Sequence, residues 1–229
     1  MKTIGLIGGM SWESSAEYYR LLNEQVKKRL GGLHSAECLM YSVDFEEIER
    51  FQSEGKWEEA GERLAGIARS LEKGGAELIV LCTNTMHKVI SSIEEAVSVP
   101  VLHIADATAK DIRSNHLHTV GLLGTKYTME QDFYKERIAE NGIKVLIPEA
   151  AERDMINQII FNELCLGEIH HSSKVKCQQA IQNLIDRGAQ GIILGCTEIG
   201  LLIHDEDAEV PLFDTAKIHA IAAVEAALG

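Results

Sequence analysis

The chain has 229 residues, which allows either one large domain or two small halves. Its net charge is -13, from 35 acidic against 22 basic residues, and it has no basic cluster, so we expect no nucleic-acid partner. No apolar run approaches the roughly 18 residues of a membrane span, and the first residues lack an export pattern, so we expect a cytoplasmic protein with no membrane partner.

Short apolar segments alternate with longer amphipathic ones along the chain. In chain order, the clearest strands are TIGLIGG (3–9), ELIVLCT (77–83), TVGLLGT (119–125) and QGIILGCT (190–197). The segment KWEEAGERLAGIARSLEKGGA, from residue 56, has apolar residues at three-and-four spacing and ends in two glycines, which predicts an amphipathic helix. The alternation predicts an α/β fold, with mostly parallel sheets flanked by helices.

An internal repeat divides the chain. TIGLIGGM from position 3 matches TVGLLGTK from 119, GGAELIVLCTNT from 74 matches RGAQGIILGCTE from 187, and VPVLHIA from 99 matches VPLFDTA from 210. Three matched blocks in one order predict two pseudo-symmetric α/β halves, 1–115 and 116–229, with an approximate boundary and a last helix that can pack across. We expect an active-site cleft between the halves, at the carboxyl ends of their strands.

The repeat also aligns the two polar strand ends. Without a gap, Leu81 pairs with Leu194, Cys82 with Gly195, and Thr83 with Cys196. Adjacent residues of a strand point to opposite faces, so only one of Cys82 and Thr83 is expected to face a ligand. The alignment assigns that place to Thr83. A glycine opposite Cys82 indicates a crowded position behind the strand end, where Cys82 packs as a small side chain.

Inverting a tetrahedral carbon by proton transfer requires at least two side chains on opposite faces of the substrate, because a base must act on one face and an acid on the other. Cysteine suits such a pair, since its reference pKa of about 8.5 lies near neutrality. The pattern therefore indicates two-base proton transfer at a carbon centre.

The motifs TNTMH (83–87) and GCTE (195–198), together with GLIGGM near the start, GLLGTKYT (121–128) and DTAKIH (214–219), resemble the cofactor-independent aspartate/glutamate racemase family. The resemblance spans essentially the whole chain and is greatest to the L-aspartate/glutamate or broad-specificity amino-acid racemase branch. It implies a racemase of aspartate, glutamate or a wider range of amino acids, without pyridoxal phosphate or another cofactor. Relatives are often homodimers, so a homodimer is possible.

This sequence departs from the family pattern at one catalytic position. The family's first motif is usually C-N-T-x-H, and aligning on Asn84, Thr85 and His87 puts Thr83 where the first cysteine stands. A hydroxyl cannot rest as an anion at neutral pH, so we hypothesise an unequal pair, with Cys196 as thiolate base and Thr83 as proton donor. A rearrangement that brings Cys82 into the site is the rival hypothesis.

Other site residues follow from the resemblance together with side-chain chemistry. We expect substrate contacts from residues near the strand ends, namely Met10, Ser11, Gln52, Asn84, Thr85, Thr125, Thr128 and Thr197. Supporting roles are expected for Cys82, His87, Asp214 and His219, although Asp214 is equally explained as a helix cap, and His87 as a structural residue. Leu166 stands where aspartate-specific relatives commonly carry lysine, which favours a broad substrate range.

The remaining polar residues favour plainer interpretations. The five cysteines lack a C-x-x-C pair, and Cys38, Cys165 and Cys177 are expected to be reduced structural thiols. His116, His118, His170 and His171 are expected to be solvated, and no metal site is predicted. Alternative functions are a maleate-isomerase-like or hydantoin-racemase-like enzyme of the same superfamily, or a small-molecule binding protein that lost one catalytic cysteine.

Overall fold

The computed structural model describes all residues from Met1 to Gly229. The chain forms two compact units: unit 1 comprises Met1–His103 and His219–Gly229, and unit 2 comprises Ile104–Ile218. Each unit is built on one four-stranded sheet, and all strand pairs in both sheets are parallel. The predicted α/β class, with two parallel sheets flanked by helices, is confirmed.

Unit 1 alternates strands and helices from the start of the chain. Its elements are β1 (Ile4–Gly8), α1 (Trp12–Leu30), β2 (Cys38–Ser42), α2 (Phe45–Ser53), α3 (Trp57–Lys73), β3 (Leu78–Leu81), a 3₁₀ helix (Thr85–Val89), α4 (Ile90–Glu94) and β4 (Val101–Leu102). The strand order is β2-β1-β3-β4. Every residue of β1 and β3 is buried, as expected for central strands covered on both faces.

The predicted helix from residue 57 is α3. Its first turn contains Glu58 and Glu59, its last residue is Lys73 and Gly74 follows, so the charges at both ends complement the helix dipole. Its apolar face, which includes Leu64, Ile67 and Leu71, packs in the same buried cluster as Ile79 of β3. The amphipathic pattern thus placed this helix and its buried face correctly.

Unit 2 repeats the same kind of alternation. Its elements are α5 (Ile104–Ser114), β5 (Thr119–Gly124), α6 (Lys126–Glu130), α7 (Asp132–Ala139), β6 (Lys144–Leu146), α8 (Ala150–Asn162), a 3₁₀ helix (Leu164–Leu166), α9 (His171–Asp186), β7 (Ile192–Gly195), two 3₁₀ helices (Ile199–Leu201 and Asp205–Asp207) and β8 (Leu212–Asp214). The strand order is β6-β5-β7-β8. The last helix, α10 (Thr215–Leu228), begins in unit 2 and ends in unit 1.

The strand registers match between the two sheets. In unit 1, Ile7 of β1 stands opposite Leu81 of β3, and Val80 stands opposite Leu102 of β4. In unit 2, Leu123 stands opposite Leu194, and Ile193 opposite Phe213, at the positions that the sequence repeat pairs with those of unit 1. All three blocks of the repeat therefore occupy equivalent places in two sheets of the same topology.

The compact units differ from the halves 1–115 and 116–229 at two places. Helix α5 belongs with unit 2, because it packs against α7 and β8, and Arg137 of α7 forms an ion pair with Asp106 at 2.7 Å. The segment from His219 belongs with unit 1, where the backbone N–H of Lys2 donates to the carbonyl of Ala227 at 2.9 Å. The chain thus leaves unit 1 once and returns to it.

None of the helices has both the length and the apolar character that a membrane span requires.

Candidate functional site

The carboxyl end of β3 carries the polar segment Thr83–His87. Thr83, Asn84, Thr85 and His87 are all buried, with at most 7 % of each residue exposed. Asn84 precedes the 3₁₀ helix, which turns the chain directly after the strand. Polar side chains buried at the end of a central parallel strand are placed as ligand contacts usually are in open α/β sheets.

His87 holds the backbone of Thr83. Its Nδ1 lies 2.7 Å from the Thr83 carbonyl oxygen. Burial, together with neighbouring His103 and His219, lowers the pKa of His87 well below its usual value, so the ring is neutral and Nδ1–H donates to Thr83. The predicted supporting residue His87 is therefore a fixed donor that sets the position of the Thr83 peptide.

Three histidines of unit 1 form a buried cluster with Tyr18. The ring centroids of His87 and His103 are 4.6 Å apart, and those of His87 and His219 are 5.9 Å apart. His219 Nε2 donates to the Leu102 carbonyl at 3.0 Å, which leaves Nδ1 to accept from the Tyr18 hydroxyl at 3.0 Å. His219, one of the predicted supporting residues, therefore forms hydrogen bonds with Tyr18 and Leu102 of unit 1.

Gln52 reaches the same strand end from helix α2. Its side chain is 5 % exposed, and Nε2 donates to Met86 Sδ at 3.0 Å. The structure thus brings Gln52 beside the Thr83–His87 segment, although Gln52 is far from that segment in sequence. A neutral amide, rather than a cation, stands at this place.

Met10 and Ser11 follow the end of β1. Met10 is 3 % exposed and belongs to the buried cluster of unit 1, which agrees with a packing role. The Ser11 side chain caps helix α1 by accepting from Ser14 N at 3.3 Å. Gly9 before them has φ +90 and lies so close to Val43 that a Cβ would sit 2.3 Å from its carbonyl oxygen, so only glycine fits the turn.

Cys82 is a packed thiol. It is fully buried, and its Sγ lies 3.8 Å from the Val80 carbonyl oxygen. Burial raises the pKa of Cys82 far above its usual value, so this residue stays protonated. These contacts support the interpretation that Thr83, and not Cys82, carries the polar function of this strand end.

The carboxyl end of β7 carries the segment Cys196–Glu198. Cys196 is 7 % exposed and Glu198 is 2 % exposed. The Cys196 thiol donates to Glu198 Oε2 at 2.8 Å, and Thr197 Oγ1 donates to the same oxygen at 2.9 Å. Two donors on one carboxylate oxygen indicate an ionised Glu198 that holds both neighbouring side chains.

Cys196 rests as a thiol in this arrangement. Burial and the Glu198 carboxylate raise the pKa of Cys196 well above its usual value. The sequence predicted Cys196 as the thiolate base, whereas in the structure burial and the neighbouring Glu198 favour the protonated form. Glu198 lies within the GCTE motif, and its contact with Cys196 Sγ reveals a role that the sequence does not predict.

Thr125 and Thr128 lie beside the same strand end. Thr125 caps helix α6 by accepting from Thr128 N at 3.3 Å, and the two hydroxyl oxygens are 3.2 Å apart. A Cβ built on Gly195 would lie 3.5 Å from Thr128 Cγ2, so Thr128 packs against the residue that precedes Cys196. Both threonines are thus close to the Cys196 end of β7.

Asp214 and Leu166 fill other roles in unit 2. Asp214 ends β8, and its Oδ1 accepts from Lys217 N at 3.1 Å, which is the helix cap that the sequence allowed as the alternative. Leu166 lies in a 3₁₀ helix and is 65 % exposed. It brings an apolar side chain, and no cation, to this surface.

Three further cysteines and four further histidines lie outside the Thr83–His87 and Cys196–Glu198 segments, although Cys165 is near enough to Cys196 to help raise its pKa. Cys177 is buried in the core of unit 2, Cys38 and Cys165 are partly buried, and none of the five cysteines forms a disulfide. His116, His118, His170 and His171 are exposed. No three His, Cys, Asp or Glu side chains are grouped so that they could hold a metal ion.

The sheets and strand ends define an α/β protein of two similarly built units, each with a proton-carrying side chain buried at equivalent places. The model of the Asp/Glu/Hydantoin racemase family matches residues 7–223, and the chain belongs to this family.

Named relatives agree with this assignment. The broad specificity amino-acid racemase of Bacillus subtilis is 25 % identical over 226 residues, covering 93 % of this chain and 92 % of the relative. A crystal structure of a Yersinia pestis protein described as a candidate Asp/Glu racemase has 53 % identity and a TM-score of 0.93, with both chains fully covered. An aspartate racemase homologue from Pyrococcus horikoshii has 37 % identity and a TM-score of 0.87, again over both full chains.

Proposed function

We propose that this protein racemises amino acids without pyridoxal phosphate, by proton transfer at Cα. Cys196 and Thr83 are the two proton-transfer groups, and each acts on one face of the same substrate. The observation that carries the proposal is the equivalence of Thr83 and Cys196, which follow matched residues in two sheets of the same register. Inversion at Cα requires such a pair of groups.

The surrounding polar groups support the binding of an amino acid. Asn84, Thr85 and Thr197 follow the two strand ends, while Ser11, Thr125 and Thr128 lie at the starts of α1 and α6. Hydroxyls, amides and backbone N–H groups at these places suit a carboxylate. They are proposed to hold the substrate while its Cα–H is exposed to the two proton carriers.

The substrate range is proposed to extend beyond aspartate and glutamate. Neither Gln52 nor Leu166 carries a positive charge, and a neutral amide discriminates weakly between a distal carboxylate and other polar side chains. The broad specificity of the Bacillus subtilis relative agrees with this proposal. We also propose that the protein is cytoplasmic and assembles as a homodimer.

One experiment tests the reaction and separates it from the alternatives. The protein is incubated in heavy water with a panel of L-amino acids, and Cα deuteration and formation of the D-isomer are followed by NMR and chiral chromatography. We expect both to occur and to fall by a factor of about 100 or more in Cys196→Ser, because a serine hydroxyl is a poor acid and base. Cys38→Ser, which removes a thiol elsewhere, should leave both rates unchanged.

Other outcomes identify other functions. Thermal stabilisation by an amino acid without Cα deuteration would indicate a binding protein. Conversion of a dicarboxylic alkene without amino-acid exchange would indicate a maleate-isomerase-like enzyme, and racemisation of hydantoins alone a hydantoin racemase. Equal activity of Cys196→Ser and the wild type would contradict the role given to Cys196.

A further inference from the structure

Glu198 is a buried carboxylate in direct contact with the proposed proton carrier of unit 2. The side chain follows β7 by three residues, is 2 % exposed, and accepts from Cys196 Sγ at 2.8 Å and from Thr197 Oγ1 at 2.9 Å. A carboxylate placed this way costs desolvation free energy, so its burial calls for a compensating role. Its contact with the Cys196 thiol indicates what that role is.

Cys196 rests as a thiol, so it must give up its own proton before its sulfur can remove one from the substrate. Thr83 carries a hydroxyl, and the Cys196 thiol donates a hydrogen bond to Glu198. The Nδ1–H of His87 donates a hydrogen bond to the Thr83 carbonyl. The Glu198 carboxylate is the acceptor in direct contact with the Cys196 thiol, so it is the group placed to take up the proton of that thiol.

We propose that Glu198 is the positioning residue that receives the Cys196 proton while Cys196 Sγ removes the proton from the substrate Cα. This inference rests on the proposed function and names the group that takes up the Cys196 proton during the reaction. The nucleophilic sulfur then never has to stand as a free thiolate beside an ionised carboxylate, which the buried surroundings oppose.

Protons and electrons balance in this step. The S–H bond of Cys196 breaks as the O–H bond of Glu198 forms, and the Cα–H bond breaks as a new S–H bond forms, which leaves the electron pair on Cα. A proton from the Thr83 side then forms the new Cα–H bond on the opposite face. The extra proton on Glu198 returns to solvent, and a solvent proton restores the Thr83 side, so no oxidant or co-reactant is needed.

Glu198→Gln tests the inference, because it keeps the size of the side chain and removes the proton acceptor. We expect kcat/KM for racemisation near neutral pH to fall by a factor of about 100 or more. The residual activity of the variant should rise as the pH rises, because Cys196 must then lose its proton to solvent. The wild type should not show this rise, because Glu198 takes up the Cys196 proton in its place.

A second measurement does not depend on racemisation. Alkylation of Cys196 by iodoacetamide is followed across pH by peptide mass spectrometry. Loss of the neighbouring negative charge should move the alkylation midpoint of Glu198→Gln to lower pH than in the wild type. We therefore expect Glu198→Gln to form the Cys196 thiolate more readily and yet to racemise more slowly. Replacing a purely structural Glu198 would not produce both effects together.

Controls separate the possible failures. Glu206→Gln removes an exposed carboxylate of unit 2 and should match the wild type in both measurements. Racemisation by Glu198→Gln at the wild-type rate near neutral pH, or an unmoved alkylation midpoint, would overturn the role of Glu198. A wild type that does not racemise any amino acid, but whose alkylation midpoint still shifts in Glu198→Gln, would refute the proposed function and leave the coupling of Glu198 to Cys196 in place.

Discussion

At the scale of single residues, Thr83 and Cys196 place an alcohol and a thiol at equivalent strand ends. An alcohol is a far weaker acid than a thiol, whose reference pKa is about 8.5. Because two enantiomers are equally stable, kcat/KM must be the same for L-to-D and D-to-L conversion. The chemical difference between Thr83 and Cys196 can therefore make kcat and KM differ between the two directions, but not their ratio. The side chain at position 83 is therefore expected to control which direction turns over slowly.

Thr83→Cys should raise kcat of the slower direction by about tenfold or more, because a thiol exchanges a proton more readily than an alcohol near neutral pH. The two kcat values are measured by circular dichroism from pure L- and pure D-substrate. Thr83→Ser keeps the hydroxyl and should behave like the wild type. If Thr83→Cys changes neither kcat, Thr83 is not a proton-transfer group.

At the scale of elements, the ends of β3 and β7 are equivalent in register but differ in packing. Cys82 has room for its side chain, whereas a Cβ on Gly195 would lie 2.6 Å from Leu122 Cδ1 and 2.9 Å from the Leu123 carbonyl oxygen. The strand β5 thus approaches β7 so closely that no side chain fits before Cys196. From this glycine the sequence repeat predicted crowding behind the strand end at Cys82, whereas the close contacts lie at Gly195 itself.

Gly195→Ala should destabilise the protein by about 1–3 kcal/mol, because neither the Leu123 backbone nor the packed Leu122 can move away freely. The free energy of unfolding is measured by urea denaturation. The same substitution at Gly66, in the middle of α3 with only the Arg69 side chain 3.8 Å from the new Cβ, should stabilise by about 0.5–1 kcal/mol. Equal effects at the two glycines would contradict the close approach of β5 to β7.

The elements also show which parts of the fold the sequence could reveal. The four predicted strands are central and wholly or largely buried, and they correspond to β1, β3, β5 and β7. The outer strand β2 is half exposed, and β4 has only two residues, so neither gives a long apolar run. Short edge strands depend on pairing with a neighbour, which a local pattern does not contain.

The strand-end motifs likewise predicted part of the candidate site. Thr83 and Cys196 could be aligned because both follow recognisable strands. The contact of Gln52 with Met86 and the cluster of His87, His103 and His219 join residues distant in sequence. Glu198 lies within the GCTE motif, but only the side-chain distance shows that it accepts a hydrogen bond from the Cys196 thiol.

At the scale of the whole molecule, the buried histidines make stability depend on pH. Burial, the largest cause, lowers the pKa of His219 from 6.5 to about 4, and burial also lowers the pKa of His87. The unfolded chain therefore binds more protons than the folded chain between about pH 6.5 and pH 4. The folded state loses stability as the pH falls through this window.

His219 alone is expected to remove about 3 kcal/mol from the free energy of unfolding between pH 6.5 and pH 4. Urea denaturation across this range measures the slope. His219→Gln should give a shallower slope than the wild type, even though its stability near neutral pH is lower. His34→Gln, at an exposed position, should keep the wild-type slope; an unchanged slope in His219→Gln would show that His219 does not titrate as inferred.

The path of the chain through the two units has a consequence for protein engineering. The chain leaves unit 1 after His103 and re-enters it at His219, and both rings lie within 6 Å of His87, measured between ring centroids. The two ends of the segment 104–218 are therefore anchored at one place in unit 1, as in tolerated domain insertions. Segment 104–218 can therefore be exchanged between members of the family. In such a chimaera, one relative supplies unit 1 with Thr83 and another supplies the segment with Cys196.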